Sequence, residues 1–428
     1  MNKIIRQLAN QRYFCSKAQF QINEINKKII NTKLKIPEAE FNTEFICNPA
    51  NRDIINHNIV KRKGVGNIDR VLELSKNAND ENSVKELHKE ISKIPNTTDP
   101  KVFDYPDEGK IIKSCNVPGD FDFEPKTFDE LSKSLKLVRM DELGPVAGDK
   151  SYILIGDLAQ LEEALIQYTI SRLMKFGFQL ISVPDILPTK VIERCGLNIS
   201  GERNFIYSLT DNYGDDLSLS GTAEMSLASK LIDSIIPHEE LPLKLAAVSR
   251  CFRAEISNNI DEPSIYRVHQ FTKVEMFICT DEKNSCDMLD NLVEIQENLF
   301  KDLGLSFNII DMASHELGAP ANRKFDIEGW YSGKKGFGEL SSTSNCTDYQ
   351  SRRLNIKYKN DNELKFVHTL NGTACAVPRM LMAICETYQT KEGNIKIPQL
   401  LIPFMNGKSE ITKQNIADMR IYKSKSKK

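Results

Sequence analysis

Two stretches of sequence decide the fold, residues 243–253 and 265–278, which read LKLAAVSRCFR and IYRVHQFTKVEMFI. Both have the character of strands, and the polar loop 256–264 separates them, so we predict a long antiparallel hairpin. Successive side chains of a strand point to opposite faces. Alternation along the second stretch therefore places bases, an aromatic ring and an acid on one face: Arg267, His269, Phe271, Lys273 and Glu275.

The chemistry of that face has two interpretations. A guanidinium can bind a phosphate through two parallel hydrogen bonds while a carboxylate holds an amine, and Arg253-Ala254-Glu255 on the outgoing strand would add to such a site. Mixed charge is also common on a strand face that is simply exposed to solvent. The hairpin alone does not decide between the two.

The surrounding pattern predicts an α+β fold. The clearest amphipathic helix covers residues 157–175, and Gly177 is placed to end it. A short strand is expected at 179–183, and the remaining signals alternate between helix and strand. They predict helices at 282–302 and 377–389 and strands at about 306–311, 323–330 and 336–342. Antiparallel strands with helices at their ends define this class, and no GxxxxGK phosphate loop is present.

Two further groups of residues could take part in chemistry. Glu339-Leu340-Ser341-Ser342 puts an acid and hydroxyls at the end of a predicted strand, where they could hold a hard cation such as Mg²⁺. In the run 371–379, Gly372 permits a close backbone approach and Arg379 stands at the start of the last helix. Each is a weak signal by itself.

Composition restricts the class of protein. The chain has 428 residues, which favours two folded units, and 40% hydrophobic and 27% charged residues with a net charge of −2. Any contact with RNA must therefore be local. No apolar run is long enough to span a membrane, so we expect none. The ten cysteines are scattered with no CxxC pair, which argues against a disulfide scaffold and against zinc.

The N-terminal third has a different character. Residues 1–23 carry Lys and Arg but no acid, which predicts a mitochondrial targeting segment, with a frayed basic tail as the alternative. Apolar residues at helical spacing then predict a small helical hairpin between 68 and 94. We divide the rest into an N-terminal domain at 24–100, a connector at 101–150, a catalytic domain at 151–410 and a basic tail at 411–428.

The order and sum of these motifs resemble the class II aminoacyl-tRNA synthetases. Residues 251–255 with 265–275 are similar to the second signature motif of that class. Pro184 after Gly177-Phe178 resembles the first, dimer-forming motif, and residues 371–386 resemble the third, ATP-binding motif. The match extends from about residue 94 to 405.

Other runs resemble the seryl-tRNA synthetases in particular. They are 221–224 (GTAE), 339–342 (ELSS), 348–356 (DYQSRRLNI), 368–372 (HTLNG) and 397–405 (IPQLLIPFM). Details at 323–326, 344–348 and 374–379 look most like the mitochondrial seryl enzymes of animals. The resemblance therefore implies a homodimer in the mitochondrial matrix that uses serine, ATP and serine-accepting tRNA.

The resemblance also implies the role of each site residue. Thr222, Ala223, Glu224 and Glu275 would bind the serine ammonium, and Asn371 with Thr373 would bind its hydroxyl. Arg253 and Arg379 would be the catalytic residues that bracket the triphosphate. The other implied ATP-binding residues are Ala254, Glu255, Phe271, Glu339, Leu340, Ser341 and Ser342. Of these, Glu339 and Ser342 would carry Mg²⁺ together with ATP.

The chain departs from the family in two places. The N-terminal hairpin is short, with about 30 residues between the basic run 61–63 and residue 96, so it would not reach far along a tRNA. We expect Lys61, Arg62 and Lys63 to contact tRNA instead. The loop 256–264 has Pro263-Ser264 where the family usually has Arg-Gly.

These departures leave two other readings open. One is a catalytically silent paralogue that acts as a mitochondrial RNA-binding or interaction protein. The other is a threonyl or prolyl type of synthetase, which the absence of an anticodon-binding α/β domain after residue 405 disfavours.

Overall fold

The computed structural model describes the chain in segments: 36–140, 148, 150–197, 199, 206–210, 216–255, 264–361 and 363–415. The predicted targeting segment at 1–23 lies outside the described residues. So do the loop 256–263 and most of the predicted basic tail. Within the described ranges, no helix combines the length and the apolar character needed to cross a membrane.

The secondary structure is numbered here in chain order. The helices are α1 (Thr43–Ile46), α2 (Arg52–Lys61), α3 (Ile68–Ser75), α4 (Glu81–Ile91), α5 (Phe128–Ser134), α6 (Asp157–Lys175), α7 (Thr189–Arg194), α8 (Ala223–Lys230), α9 (Ser285–Asp302), α10 (Tyr349–Leu354) and α11 (Val377–Thr387). The strands are β1 (Lys110–Cys115), β2 (Val138–Arg139), β3 (Ile153–Leu154), β4 (Gln179–Leu180), β5 (Ile186–Pro188), β6 (Tyr207–Ser208), β7 (Leu217–Leu219), β8 (Ile235–Pro237), β9 (Leu243–Phe252), β10 (Gln270–Thr280), β11 (Phe307–Asp311), β12 (Arg323–Tyr331), β13 (Gly336–Asn345), β14 (Lys357–Asn360), β15 (Glu363–Phe366), β16 (His368–Ala376), β17 (Ile395–Lys396) and β18 (Glu410–Ile411).

One large sheet organises the described part of the chain. Its strand order is β1-β11-β12-β13-β16-β10-β9-β4. All neighbouring strands are antiparallel except β4, which runs parallel to β9. The predicted α+β class with a central antiparallel sheet is confirmed. The predicted hairpin is β9 and β10, although β10 begins later than expected because residues Ser264–Tyr266 form a 3₁₀ turn.

Strand β10 lies in the interior of this sheet and contributes functional or core side chains to both of its faces. Val274, Met276 and Ile278 point into the main core. Lys273 and Glu275, on the opposite face, line a cleft, and farther along that face Phe277 and Cys279 enter a second core. The period-two geometry of a strand separates the two sets of side chains. The cleft and both cores therefore depend on one register.

Helices α6, α9 and α11 contribute buried residues to the main core. Helix α6 has the bounds that the sequence predicts. Its stripe of Leu158, Leu161 and Leu165 is buried, and Gly177 follows the end of the helix with φ +83°. That left-handed conformation is cheap for glycine, which explains why the helix stops there.

The N-terminal helices pack on a small core of their own. Helices α3 and α4 are the predicted hairpin, and with 8 and 11 residues they span about 12 and 17 Å at about 1.5 Å per residue. Helix α2 was not predicted. It is rich in polar residues, and Ile55 and Ile59 are its only buried apolar side chains, which is too few to produce a clear apolar stripe.

Arg62 attaches this helical unit to the rest of the molecule. Its guanidinium is buried and donates to the carbonyls of Asn96, Ala321 and Gly318, and burial lowers its pKa to about 10. We expected Arg62 to contact tRNA, and that expectation is wrong because its guanidinium is buried and its Nη1 and Nη2 groups donate to backbone carbonyls inside the protein. Its neighbours Lys61 and Lys63 are exposed.

The segment that we predicted to be a connector contains regular structure. Strand β1 forms one edge of the large sheet by pairing with β11, and α5 buries Phe128 and Leu131 in the main core. Strand β1 exposes every residue except Cys115. Without an alternating burial pattern, its sequence carries no periodic signal.

Candidate active site

The residues proposed from sequence meet in one cleft of about 470 Å³ on the face of the large sheet. Those that line it are Thr222, Glu224, Arg253, Glu255, Phe271, Glu275, Glu339, Leu340, Ser341, Ser342, Asn371, Thr373 and Arg379. Ala223 lies in the second core instead, where it is fully buried. Ala254 is not among the lining residues. The geometry thus brings together nearly all of the predicted site.

The floor of the cleft holds a buried ion pair. Lys273 Nζ lies 2.5 Å from Glu275 Oε2, and both side chains are more than nine-tenths buried. Thr373 Oγ1 donates to the same carboxylate oxygen at 3.2 Å. A register shift between β10 and β16 places Thr373 directly opposite Glu275. Such an irregularity commonly redirects a side chain next to a functional site.

Glycine is required on the neighbouring strand pair. Gly372 lies opposite Thr343 of β13, and a Cβ atom at Gly372 would come within 2.2 Å of Thr343 Oγ1. Only a residue without a side chain permits this approach of β16 to β13. The close approach that the sequence suggested at Gly372 is therefore present, and it brings the strand carrying Asn371 and Thr373 against β13.

A second carboxylate, Glu224, stands in the first turn of α8. Thr222 caps this helix, accepting a hydrogen bond from the Glu224 amide at 3.3 Å. Asn371 Nδ2 donates to Glu224 Oε1 at 2.9 Å. The pKa of Glu224 is raised to about 7, mainly by burial and to a smaller extent by the negative charge of Glu275. A cationic group between the two carboxylates would favour the ionised form of Glu224.

Arg253 lies on one side of the cleft, where β9 has ended. Its guanidinium lies over the ring of Phe271 at 5.4 Å, and its Nε donates to the Gly221 carbonyl at 3.3 Å. Glu255 accepts a hydrogen bond from Arg267 Nη1 at 3.1 Å. The stacking on Phe271 and the hydrogen bond to Gly221 orient the guanidinium plane of Arg253, and a guanidinium held in this way suits bidentate binding of phosphate.

Arg379, at the start of α11, is the second arginine of the predicted site that lines the cleft. Its Nη1 lies 3.1 Å from both the carbonyl and the carboxylate Oε2 of Glu339, and its guanidinium lies 4.5 Å from the centre of the Tyr266 ring. Burial alone would raise the pKa of Glu339, but the charges of Arg379 and Lys324 lower it. Glu339 is therefore ionised at neutral pH and available to a cation.

The residues around Glu339 fit a magnesium ion. Glu339 and Ser342 line the cleft on strand β13, and Asp326 is the direct partner of Ser342 in the ladder. Asp326 is buried, and its Oδ1 has no hydrogen-bond partner among the described residues. These are the oxygen donors that Mg²⁺ prefers, and Mg²⁺ usually takes only one or two protein carboxylates, with phosphate and water as its other ligands.

Several residues that line the cleft or support its side chains received no role from the sequence. Lys273 was seen on the correct strand face but received no role. Tyr266 stacks on Arg379, and Gln350 binds Glu224 from the helix α10. The alternation of β10 could have identified Lys273. The run 348–356 drew attention to the stretch that contains Gln350, but no local pattern could have revealed its contact with Glu224, which lies 126 positions away.

Comparison with known proteins agrees with this geometry. Residues 207–388 match the family model of the tRNA synthetase class II core domain (G, H, P, S and T). The fold and the cleft thus define a class II aminoacyl-tRNA synthetase core.

The chain is 42% identical over 327 residues to the serine–tRNA ligase of Treponema denticola, which covers 75% of this chain and 76% of that protein. It is 40% identical over 326 residues to the mitochondrial serine–tRNA ligase of Bos taurus, covering 75% of this chain and 62% of that protein. The crystal structure of seryl-tRNA synthetase from Pyrococcus horikoshii complexed with ATP matches with a TM-score of 0.80 and 26% identity, covering 87% of this chain and all of that one.

The chain belongs to the serine–tRNA ligase family. The matched region spans less than two thirds of the length of the mammalian mitochondrial relatives, 62% of the bovine protein and 64% of the one from Mus musculus.

The buried pair of Lys273 and Glu275 generates a prediction about stability. The substitution Lys273→Met keeps the length of the side chain but leaves Glu275 buried without its cation. We expect a loss of about 3–5 kcal/mol in the free energy of unfolding, measured by urea denaturation. The double variant Lys273→Met/Glu275→Gln should recover part of that loss.

The exposed Lys283 provides the matched control. The substitution Lys283→Met removes the same charge but does not leave a buried carboxylate without its cation. An unfolding free energy for Lys273→Met equal to that of Lys283→Met would contradict the prediction.

Proposed function

We propose that this protein activates serine with ATP to form seryl-adenylate and transfers the seryl group to the 3′ end of a serine-accepting tRNA. The observation that carries the proposal is the arrangement of the cleft. Two carboxylates, Glu224 and Glu275, lie at one part of it, and two guanidinium groups, Arg253 and Arg379, lie at another. The cleft thus offers an ammonium site and a phosphate site on one rigid sheet.

The carboxylates and the hydroxyl of Thr373 give the cleft its selectivity for serine. Glu275 and Glu224 hold the ammonium group, and Asn371 with Thr373 binds the serine hydroxyl. Alanine leaves these polar partners unpaired, which costs on the order of 1–3 kcal/mol for each buried group. Selection against alanine follows from that cost.

The chemistry of activation needs little more than position and charge. Arg253 and Arg379 bracket the triphosphate, Phe271 and Glu255 hold the adenine, and the serine carboxylate attacks the α-phosphorus as pyrophosphate leaves. Preorganised guanidinium groups stabilise the charge that develops on the phosphate oxygens. No group acts as a general base in this step, since the attacking carboxylate is already ionised.

Mg²⁺ belongs to the same proposal. Bound with ATP, the ion neutralises phosphate charge, and Glu339 with Ser342 is the pair of residues that would hold it. The contact between Glu339 and Arg379 keeps that carboxylate ionised and directed along β13.

Serine-dependent exchange of pyrophosphate into ATP tests the activation step. The purified chain should exchange with serine and much more weakly with alanine or threonine. Arg253→Ala should lower the exchange rate by about 100-fold or more, because it removes a preorganised donor to the reacting phosphate. The exposed Arg70 of the N-terminal hairpin is the control, and Arg70→Ala should leave exchange unchanged.

Absence of exchange with every amino acid would overturn this function. The catalytically silent paralogue would then be the better interpretation. Exchange with serine accompanied by charging of bulk tRNA would support both steps of the proposed reaction.

The N-terminal helical unit is proposed to bind tRNA through its exposed bases. Lys61 and Lys63 remain candidates for phosphate contacts, whereas Arg62 is excluded by its buried position. A hairpin of two short helices offers few such contacts. Each phosphate contact adds about one unit to the slope of the logarithm of the binding constant against the logarithm of the salt concentration. With few contacts, the affinity for tRNA should therefore depend only weakly on salt concentration.

We also propose that the protein is a homodimer. Strand β4 is the terminal strand of the large sheet, and large apolar side chains are exposed beside it. Met174 at the end of α6 is 60% exposed, Leu180 of β4 is 44% exposed and Ile186 of β5 is 50% exposed. An unpaired apolar edge of this kind favours association with a second copy.

Light scattering tests the dimer at micromolar concentration. The wild-type chain should have twice the mass of one chain, and Met174→Asp/Leu180→Asp should be a monomer because it buries charge in the interface. Ile111 on β1 is equally exposed at the opposite edge of the sheet, so Ile111→Asp is the control and should stay dimeric. A monomeric wild type would contradict the proposal.

We place the protein in the mitochondrial matrix on two grounds. Residues 1–23 have the composition of a targeting segment, and a bovine relative is a mitochondrial serine–tRNA ligase. Import into isolated mitochondria tests this location. The full chain should become protected from added protease, and Arg6→Glu/Arg12→Glu should not. Equal protection of both chains, or of neither, would count against it.

A further inference from the structure

A buried glutamine outside the predicted site holds one of the two cleft carboxylates. Gln350 lies on the short helix α10 and is fully buried. Its Nε2 donates to Glu224 Oε1 at 2.6 Å and to the Cys195 carbonyl at 3.1 Å. The Thr369 hydroxyl donates to its Oε1 at 2.7 Å. Helix α8, the end of α7 and strand β16 therefore all fix this one amide.

The network determines which way the amide faces. A carboxylate and a carbonyl accept hydrogen bonds only, so both need the NH₂ end of the amide. The Thr369 hydroxyl can then donate to the amide oxygen. Every polar atom of Gln350 has a partner, and a fully satisfied buried network of this kind permits only one orientation.

The hydrogen bond from Gln350 also affects the charge of Glu224. Both Gln350 and Asn371 donate to Oε1, so among the described residues Oε2 is the oxygen left for a ligand in the cleft. Burial and Glu275 raise the pKa of Glu224, whereas Gln350, Lys273 and Arg253 lower it. The thiols of Cys195 and Cys346 also face this carboxylate and stay protonated, because burial raises their pKa values.

We propose that Gln350 is a positioning residue for serine binding, which orients Glu224 so that its carboxylate can accept the substrate ammonium group. This role rests on the proposed function, in which Glu224 binds the serine amine. Gln350 itself lies behind Glu224 and touches no substrate. Its effect should thus appear in serine binding and not in ATP binding.

The test substitutes Gln350→Met, which keeps the shape of the side chain and removes both donors. At pH 7 we expect the serine KM in pyrophosphate exchange to rise about tenfold, since a hydrogen bond to a charged group is lost, with the ATP KM unchanged. Loss of the donor raises the pKa of Glu224 further, so a larger fraction of the carboxyl is protonated at pH 7. Serine binding should therefore recover as the pH rises from 7 to about 8, where the serine ammonium group is still protonated.

A smaller change provides a second variant in case Gln350→Met folds poorly. Thr369→Val removes the donor to Gln350 Oε1 without changing the size of the side chain. The amide then loses its orientation, and the serine KM should rise about two- to threefold in the same pH-dependent way. Calorimetric titration with serine provides a readout of binding that does not depend on catalysis.

The control is another buried glutamine with the same kind of contacts. Gln389 exchanges hydrogen bonds with the backbone of Lys126, remote from the cleft, so Gln389→Met should lower stability without changing the serine KM. If serine and ATP KM values rise together in Gln350→Met, with no recovery at the higher pH, the role of Gln350 is structural and the inference is wrong. Absence of exchange in the wild type would instead overturn the proposed function.

Discussion

The antiparallel pairing of β10 between β9 and β16 is the constraint on which the rest of the molecule depends. With a period of two residues, Val274, Met276 and Ile278 point into the main core, and Lys273 and Glu275 on the opposite face point to the cleft. A shift of one position would place Lys273 and Glu275 in the apolar core and expose the core residues to the cleft. The free energy of packing the main core thus also holds the ion pair of the site in place.

Polar groups in the cleft are stabilised by neighbours that are themselves anchored. Glu275 is held by Lys273 and Thr373, and Glu339 by Arg379. A buried carboxylate without such partners would be neutral, because burial in a medium of low dielectric constant disfavours charge. The site can therefore keep several negative groups close together, as the proposed binding of a cationic amine and a metal ion requires.

The N-terminal helical unit is joined to the catalytic cleft through backbone carbonyls. Arg62 and Asn96 both bind the segment 317–321, and Gly318, Ala319 and Pro320 of that segment line the cleft. A planar guanidinium with five donors suits this task better than a lysine, since it can satisfy several carbonyls at once. The helical unit and the cleft wall consequently share one hydrogen-bond network.

Periodicity was sufficient to predict helix α6 and the hairpin of β9 and β10, because burial of one face leaves a regular pattern of apolar residues. Resemblance of short motifs then predicted a set of site residues, and nearly all of that set lines the cleft. The position of β1, the burial of Arg62 and the contact of Gln350 with Glu224 became visible only in the folded chain. Each of these depends on partners far away in the chain, and such long-range contacts leave no local periodicity to read.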